Sequence, residues 1–243
     1  VKEKPILFST PMVQAILEGR KTQTRRVIKP QPPDDRYIIS TLVNTTDRDK
    51  RKYEGKNSWV IYDPLHQQIT HNQGIYFSFP YQVGDRLWVK ETHYRYGKWI
   101  KNGLTKTGKQ KWLFKALGDE VLFFDNPPEN IKPNSYRKEA WYKRSSLFLP
   151  KKYARIWLEV TGVRAERLQE ITEEDAIAEG IGSGFQMNAG YPDYQYIKNG
   201  VCELTQDTAV MSFASLWDSI NGKKYPWSSN FWVWVYEFKR ITK

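Results

Sequence analysis

The run Phe231-Trp232-Val233-Trp234-Val235-Tyr236-Glu237-Phe238 constrains this chain more than any other segment. It is apolar on nearly both faces of an extended strand, so it belongs inside a sheet or barrel and not at an edge. Trp232 and Trp234 stand two apart and share one face, where they are expected to line the interior. A second β-branched and aromatic run, Arg155–Thr161, reads as another strand, which Gly162 bends toward Val163–Leu168. Val83-Gly84-Asp85-Arg86 reads as a turn entering the strand 87–92.

Three short helices carry their own boundaries. In the first, Ser9-Thr10 offer an N-cap, Pro11 suits the first helical position, Val13, Ile16 and Leu17 share a face, and Gly19 supplies the stop. The second runs from Thr172 to Glu179, with a capping-box pattern at its start and Gly180 after it. The third, about 208–221, places Phe213, Leu216, Trp217 and Ile220 on one stripe. Residues 29–80 lack regular pattern, and Asp47–Lys52 reads as a charged, exposed tip. Residues 95–150, broken by Gly103, Gly108, Pro127-Pro128 and Pro133, read as more loop than element. Gly182–Gly200 reads as a flexible loop. The best-patterned segments come from both ends and need each other to close a core. The expectation is therefore one α+β domain over residues 1–243, a small β-barrel with short helices and long loop insertions at about 30–80 and 95–150.

Composition removes several function classes. One cysteine, Cys202, excludes an intramolecular disulfide framework, and with three histidines a Cys₄ or Cys₂His₂ zinc site cannot be assembled. The expectation is a protein without cofactor or metal in a reducing, cytoplasmic compartment. No apolar run is long enough to span a bilayer, and Val1–Pro5 carry no apolar region of a signal peptide. The signatures of P-loop, dinucleotide-binding, serine-elbow and zinc-protease sites are absent. His66, His71 and His93 sit in polar context and are expected to be surface or hydrogen-bonded residues.

Charge is unevenly placed. The net charge is +11, and residues 95–152 hold 14 basic and 5 acidic side chains, interleaved with Tyr96, Trp99, Trp112, Phe114, Tyr136, Trp141 and Tyr142. Cations neutralise phosphates and rings stack on bases, so this composition suits a nucleic acid; the plainer reading is a solvated, lysine-rich insertion. Trp99, Trp112 and Trp141 could stack bases, although tryptophans more often fill a core.

The densest local pattern is Arg20-Lys21-Thr22-Gln23-Thr24-Arg25-Arg26, four cations and three hydroxyl or amide side chains just after the first helix. Basic residues there complement the negative helix end. The same cluster is also a donor set for an anionic or carbonyl-bearing ligand. At this point the chain resembles the ASCH family, relatives of the PUA domain. Gly19-x-Lys21-x-x-Thr24-x-Arg26 matches that family's G-x-K-x-x-T-x-R signature. Companions follow in the same order: Gly84–Val89, the strand Arg155–Thr161, the helix end Ala176-Ile177-Ala178-Glu179-Gly180, Phe213-x-x-Leu216-Trp217-x-x-Ile220-Asn221, and the strand Trp227–Ile241. The chain is most similar to the larger ASCH-like proteins of bacteriophages and prophages.

The resemblance implies a PUA-like barrel with a cleft and an RNA or modified-nucleoside partner. Some members are amidohydrolases that remove the acyl group of N4-acylated cytidine with a lysine, a threonine and a glutamate; by motif these are Lys21, Thr24 and Glu179. A non-catalytic RNA-binding module and a ribonuclease are the other readings. In the hydrolase, Thr24 attacks or orients a water. Lys21 is the base if its pKa is lowered, or an oxyanion donor with Glu179 as base if it stays protonated. Arg20, Arg25 and Arg26 are the expected ligand-binding cations, Arg26 toward a phosphate or a base carbonyl edge.

Overall fold

The structure is a computed structural model that describes residues 1–32, 37–41, 57–63, 68–77, 79–129, 138–182, 190–198, 201–202 and 204–242. In chain order the first half comprises β1 (Glu3–Leu7), α1 (Thr10–Leu17), β2 (Gln23–Val27), β3 (Tyr37–Thr41), β4 (Asn57–Asp63), β5 (Gln68–Phe77), β6 (Arg86–Lys90), β7 (His93–Leu104) and β8 (Gln110–Phe123). The second half comprises β9 (Ala140–Arg144), β10 (Trp157–Arg167), α2 (Glu173–Ala178), β11 (Tyr191–Pro192), β12 (Ile197–Lys198), β13 (Val201–Cys202), β14 (Thr205–Gln206), α3 (Ala209–Asn221) and β15 (Trp232–Ile241). His66 and the charged tip Asp47–Lys52 lie outside the described residues, as do 183–189 and 199–200 of the loop expected at Gly182–Gly200.

The chain divides into two compact units, Val1–Glu18 with Arg86–Glu159 and Arg240–Lys243, and Gly19–Asp85 with Val160–Lys239. The class is α+β, with strands predominating. Among the described residues the sheets are open, and none closes into the barrel expected from the sequence. The reason is visible in β1, which pairs in parallel with β6 and carries Pro5, a residue without an N–H to donate. Barrel closure requires every strand to be paired on both edges.

In the first unit β1 and the start of β10 flank β6, with Trp157 opposite Trp88 and Leu158 opposite Leu87. Helix α1 buries Val13, Ala15 and Ile16, and ends at Gly19 with φ +77°. The expected loop at 95–150 is instead a long hairpin, β7 and β8, with β9 on the other side of β7. Its strands were hidden because lysines interrupt the apolar alternation and two bulges shift the register, between Arg95 and Gly97 and between Lys101 and Leu104. Gly103 and Gly108 mark the tip and not a break in order, both at positive φ.

In the second unit β15 pairs with β2, Val233 opposite Val27 through Glu237 opposite Gln23. The expectation for β15 holds on both faces: Val233, Trp234, Val235, Tyr236 and Phe238 are all buried. Gly162 does not end a strand. β10 runs through it, and a Cβ there would stand 2.6 Å from Glu237 Oε2. Within the stretch 29–80, expected to lack regular pattern, Tyr37–Thr41, Asn57–Asp63 and Gln68–Phe77 form the antiparallel sheet β3-β4-β5. Helix α2 is capped by Thr172, which accepts from Asp175 N, and α3 by Thr208, which accepts from Met211 N. Phe213 and Trp217 of α3 pack with Leu168, Ile171, Ala176, Ile181, Val233 and Val235. Ile220 departs from the expected stripe and is exposed, while Ser212 and Ser215 are buried. Their hydroxyls are satisfied by Pro192 O at 2.6 Å and Ser212 O at 2.8 Å.

The hairpin register leaves no room at Gly97, where a Cβ would run into the Lys115 carbonyl and lie 2.6 Å from Phe114 Cζ. Gly97→Ala is expected to cost about 1–3 kcal/mol, in the range of an overpacked interior. Denaturant unfolding followed by circular dichroism measures it; an unchanged midpoint would contradict this register.

Candidate functional site

The donor cluster after α1 becomes β2, and strand alternation divides its side chains between two faces. Gln23 and Arg25 face α2. The Gln23 amide donates to the Asp175 carbonyl at 2.8 Å and to Asp175 Oδ1 at 2.9 Å. Arg25 meets three carboxylates: Glu166 of β10 at 2.5 Å, Asp175 of α2 at 2.6 Å and Glu179 at 3.3 Å. Its guanidinium also lies 5.8 Å from the centre of the Phe213 ring of α3. Arg164 extends the network to Asp175 at 2.7 Å, to Glu166 at 2.9 Å and to Glu237.

Lys21 and Glu179 meet at the beginning of β2. Lys21 Nζ donates to Glu179 Oε2 at 2.6 Å and to the Glu179 carbonyl at 2.7 Å. Both side chains are buried, at 0% and 3% exposure. The local cause is the end of α2, where Glu179 is the C-cap and Gly180 takes φ +96°. A carboxylate is unfavourable near the negative end of a helix, and the Lys21 ammonium compensates both the side chain and the carbonyl. The backbone reinforces the junction: Thr22 N donates to Ala178 O at 2.8 Å, and Phe238 N to Thr22 O at 2.8 Å. Arg20 donates to the Gly180 carbonyl at 2.8 Å.

Burial drives the Lys21 ammonium below the ordinary lysine range. Glu179 opposes that shift, and Arg26 and Arg25 add smaller downward contributions. Asp175 is held below its ordinary range although burial acts in the other direction, because Gln23 and Arg25 hydrogen-bond its charged form.

Thr24 and Arg26 occupy the other face of β2. Thr24 is opposite Tyr236 and Arg26 opposite Trp234, and directly opposed residues of an antiparallel pair share a face. Tyr81 packs edge-on against Tyr236 at 5.0 Å, and Phe79 lies tilted on Trp234 at 4.4 Å. Burial raises the pKa of both phenols, Tyr81 and Tyr236. The buried Tyr236 hydroxyl has no well-formed hydrogen bond among the described residues, although the Tyr81 backbone acts on its proton affinity. Desolvation lowers the Arg26 pKa, opposed by Tyr81, Glu179 and Tyr236. The field of Glu179 therefore reaches Lys21 and Arg25 on one side and Arg26 on the other.

Of the residues singled out in the sequence, Lys21 and Glu179 are in direct contact, and Thr24 stands with Arg26 on the aromatic face. Arg25 is enclosed and engaged by carboxylates, so it positions the site from within. Sequence reading did not find Glu166, Arg164 and Asp175, nor Tyr81 and Tyr236. The available signal was Arg164-x-Glu166, two charges on one face of a strand, which is costly unless they are paired. Among the described residues no group of three or more His, Cys, Asp or Glu is arranged to hold a metal ion. Of the three histidines, His93 is buried beside the Glu91 carbonyl, with Nδ1 3.2 Å away. No protein-family model, curated protein or solved structure matches the chain.

Lys21→Met alone leaves Glu179 buried without its nearest cation and is expected to destabilise the protein by about 3 kcal/mol. The double variant Lys21→Met/Glu179→Leu, which removes both charges, is expected to recover most of that loss. Chemical denaturation of Lys21→Met, Glu179→Leu and the double variant checks this; a double-variant loss equal to the sum of the two single losses would show that the pair is not energetically coupled.

Proposed function

We propose that this chain is an ASCH-like, nucleoside-binding amidohydrolase that removes the acyl group from an N4-acylated cytidine. The observation that carries the reading is the buried Lys21–Glu179 contact of 2.6 Å, formed between residues 158 apart in sequence. A desolvated ammonium against a carboxylate can exchange its proton at low cost, which suits a group that must both take and return one. Arg26, Thr24 and the Tyr236 hydroxyl, bordered by Tyr81, Phe79 and Trp234, support the binding half of the reading. Rings and a few polar groups suit a planar base with a hydrogen-bonding edge. The single cysteine fits a cytoplasmic setting.

In this mechanism the Lys21 amine takes a proton from a water whose oxygen bonds to the acyl carbon, while the Thr24 hydroxyl, on the other face of β2 with Arg26, binds the base. The resulting oxyanion is met by cationic donors, with Arg26 holding the base. The carbon–N4 bond then breaks as the Lys21–Glu179 pair returns the proton to N4. The products are cytidine and the carboxylic acid, and no oxidant or co-reactant is required.

Purified protein with N4-acetylcytidine is expected to release cytidine, followed by chromatography. Lys21→Ala should reduce the rate at least a hundredfold, the size expected for loss of an acid–base group, and Thr24→Val should weaken nucleoside binding. The rate should rise with pH along a limb below the ordinary lysine value of 10.5, because burial favours the free amine. Glu179 raises the Lys21 pKa, so Glu179→Gln should move that limb to lower pH. No cytidine release, with nucleoside still bound, would leave a binding module and overturn the hydrolase.

A further inference from the structure

The hairpin β7–β8 and β9 form a surface remote in kind from the enclosed network around Arg25. Residues 98–115 contain six lysines and no acidic residue. Of these, Lys98 pairs with Glu139 at 2.8 Å, and Lys101, Lys106, Lys109, Lys111 and Lys115 are exposed. The register puts Trp99 opposite Phe114, Lys101 opposite Trp112, and Tyr142 on the adjoining strand. These rings make one face. Trp99, Phe114 and Tyr142 pack edge-on with centroids 5.5–6.3 Å apart. Trp99 and Trp112 do not fill a core: they are 40% and 55% exposed.

Arg144 lies among these rings, 4.8 Å from Trp99, 4.4 Å from Phe114 and 4.8 Å from Phe148. Its guanidinium makes no ion pair or hydrogen bond with a described residue, and its nitrogens are not sealed from solvent. Desolvation lowers its pKa, and another cation, Arg95, adds to that shift. A stacked, unpaired arginine presents fixed N–H donors to an incoming anion, and the rings beside it present flat apolar faces.

We propose that the Trp99–Trp112–Arg144 face of the hairpin binds single-stranded nucleic acid, with bases stacked on the two tryptophans and backbone phosphates held by Arg144 and the hairpin lysines. The complementarity is specific to that partner: a charge excess calls for a polyanion, and exposed rings call for one whose bases are unpaired. An anionic membrane fits less well. A lipid-inserting hairpin carries its apolar residues at the tip, whereas the tip here, Asn102–Lys109, has Leu104 as its one apolar side chain and the tryptophans stand on the strands. The proposal does not rest on the hydrolase reading.

The test is fluorescence anisotropy of the full chain with labelled twelve-residue oligouridylate and oligothymidylate, the corresponding duplex, and phosphatidylserine-containing vesicles. Single strands should bind in preference to duplex, with quenching of tryptophan emission and a steep loss of affinity as salt rises. Preference for the ribose strand identifies RNA, and equal binding identifies single strands in general. Trp99→Ala/Trp112→Ala should weaken binding at least tenfold, and Arg144→Gln severalfold, with unchanged circular dichroism. If those variants lose structure, Lys101→Glu/Lys111→Glu on the exposed surface carries the same test. Absence of binding to either strand, binding to vesicles or duplex in preference, or affinity indifferent to these substitutions would overturn the proposal. Hydrolysis of N4-acetylcytidine is read separately, so failure of either proposal leaves the other standing.

Discussion

The second unit is organised by the desolvation of one guanidinium. The Arg25 side chain has 0% exposure, and a charge so placed must be matched by nearby opposite charge and hydrogen bonds. It is matched by Glu166, Asp175 and Glu179, which lie on β10, in α2 and at the end of α2. Phe213 of α3 closes the remaining side. One side chain of β2 thereby dictates where a strand and two helices pack. A helix of six residues such as α2 has too few internal hydrogen bonds to persist alone, so its placement depends on this network and on the buried apolar side chains Leu168, Ile171 and Ala176 near it.

That constraint also creates the chemical feature. Once α2 is fixed against β2, its C-terminal carbonyl and the Glu179 carboxylate arrive together at the start of β2, where Lys21 meets both. The same contact serves stability and proton affinity. It compensates a helix end, and it holds a lysine where burial outweighs the carboxylate in setting its pKa. Structural and catalytic interpretations of Lys21–Glu179 are therefore not exclusive. Beyond that pair, Arg26 and Thr24 stand on the face of β2 bordered by Trp234, Tyr236, Phe79 and Tyr81.

How much of this was legible depended on whether the signal was local. The cap at Thr172, the glycine stops at Gly19 and Gly180 and the two-sided burial of β15 are written within a few residues, and all appear in the structure. The cluster Arg20–Arg26 was visible, but its division between two faces was not, because that depends on which strand pairs with β2. Glu166 and Asp175 were illegible for the same reason: they lie 141 and 150 residues from Arg25. Helix α3 shows a subtler failure. Ile220 continued the apolar stripe, yet Ser212 and Ser215 are the buried residues, because the chain around Pro192 and Tyr194 supplies partners for their hydroxyls. The strands of the hairpin were missed because exposed strands need no apolar alternation; cross-strand pairs of lysine, tryptophan and phenylalanine hold them instead.

The net charge of +11 conceals two different uses of arginine. Arg25 is surrounded by carboxylates, so its charge is cancelled where it stands and its donors are taken. Arg144 is surrounded by rings, which orient a guanidinium without cancelling its charge. A cation of the first kind builds a fold, and one of the second kind remains available to an anion from outside. Counting basic residues cannot separate them, because both lie in basic, patterned segments of sequence. The separation comes from what lies within about 5 Å of each guanidinium: carboxylates around Arg25, aromatic rings around Arg144.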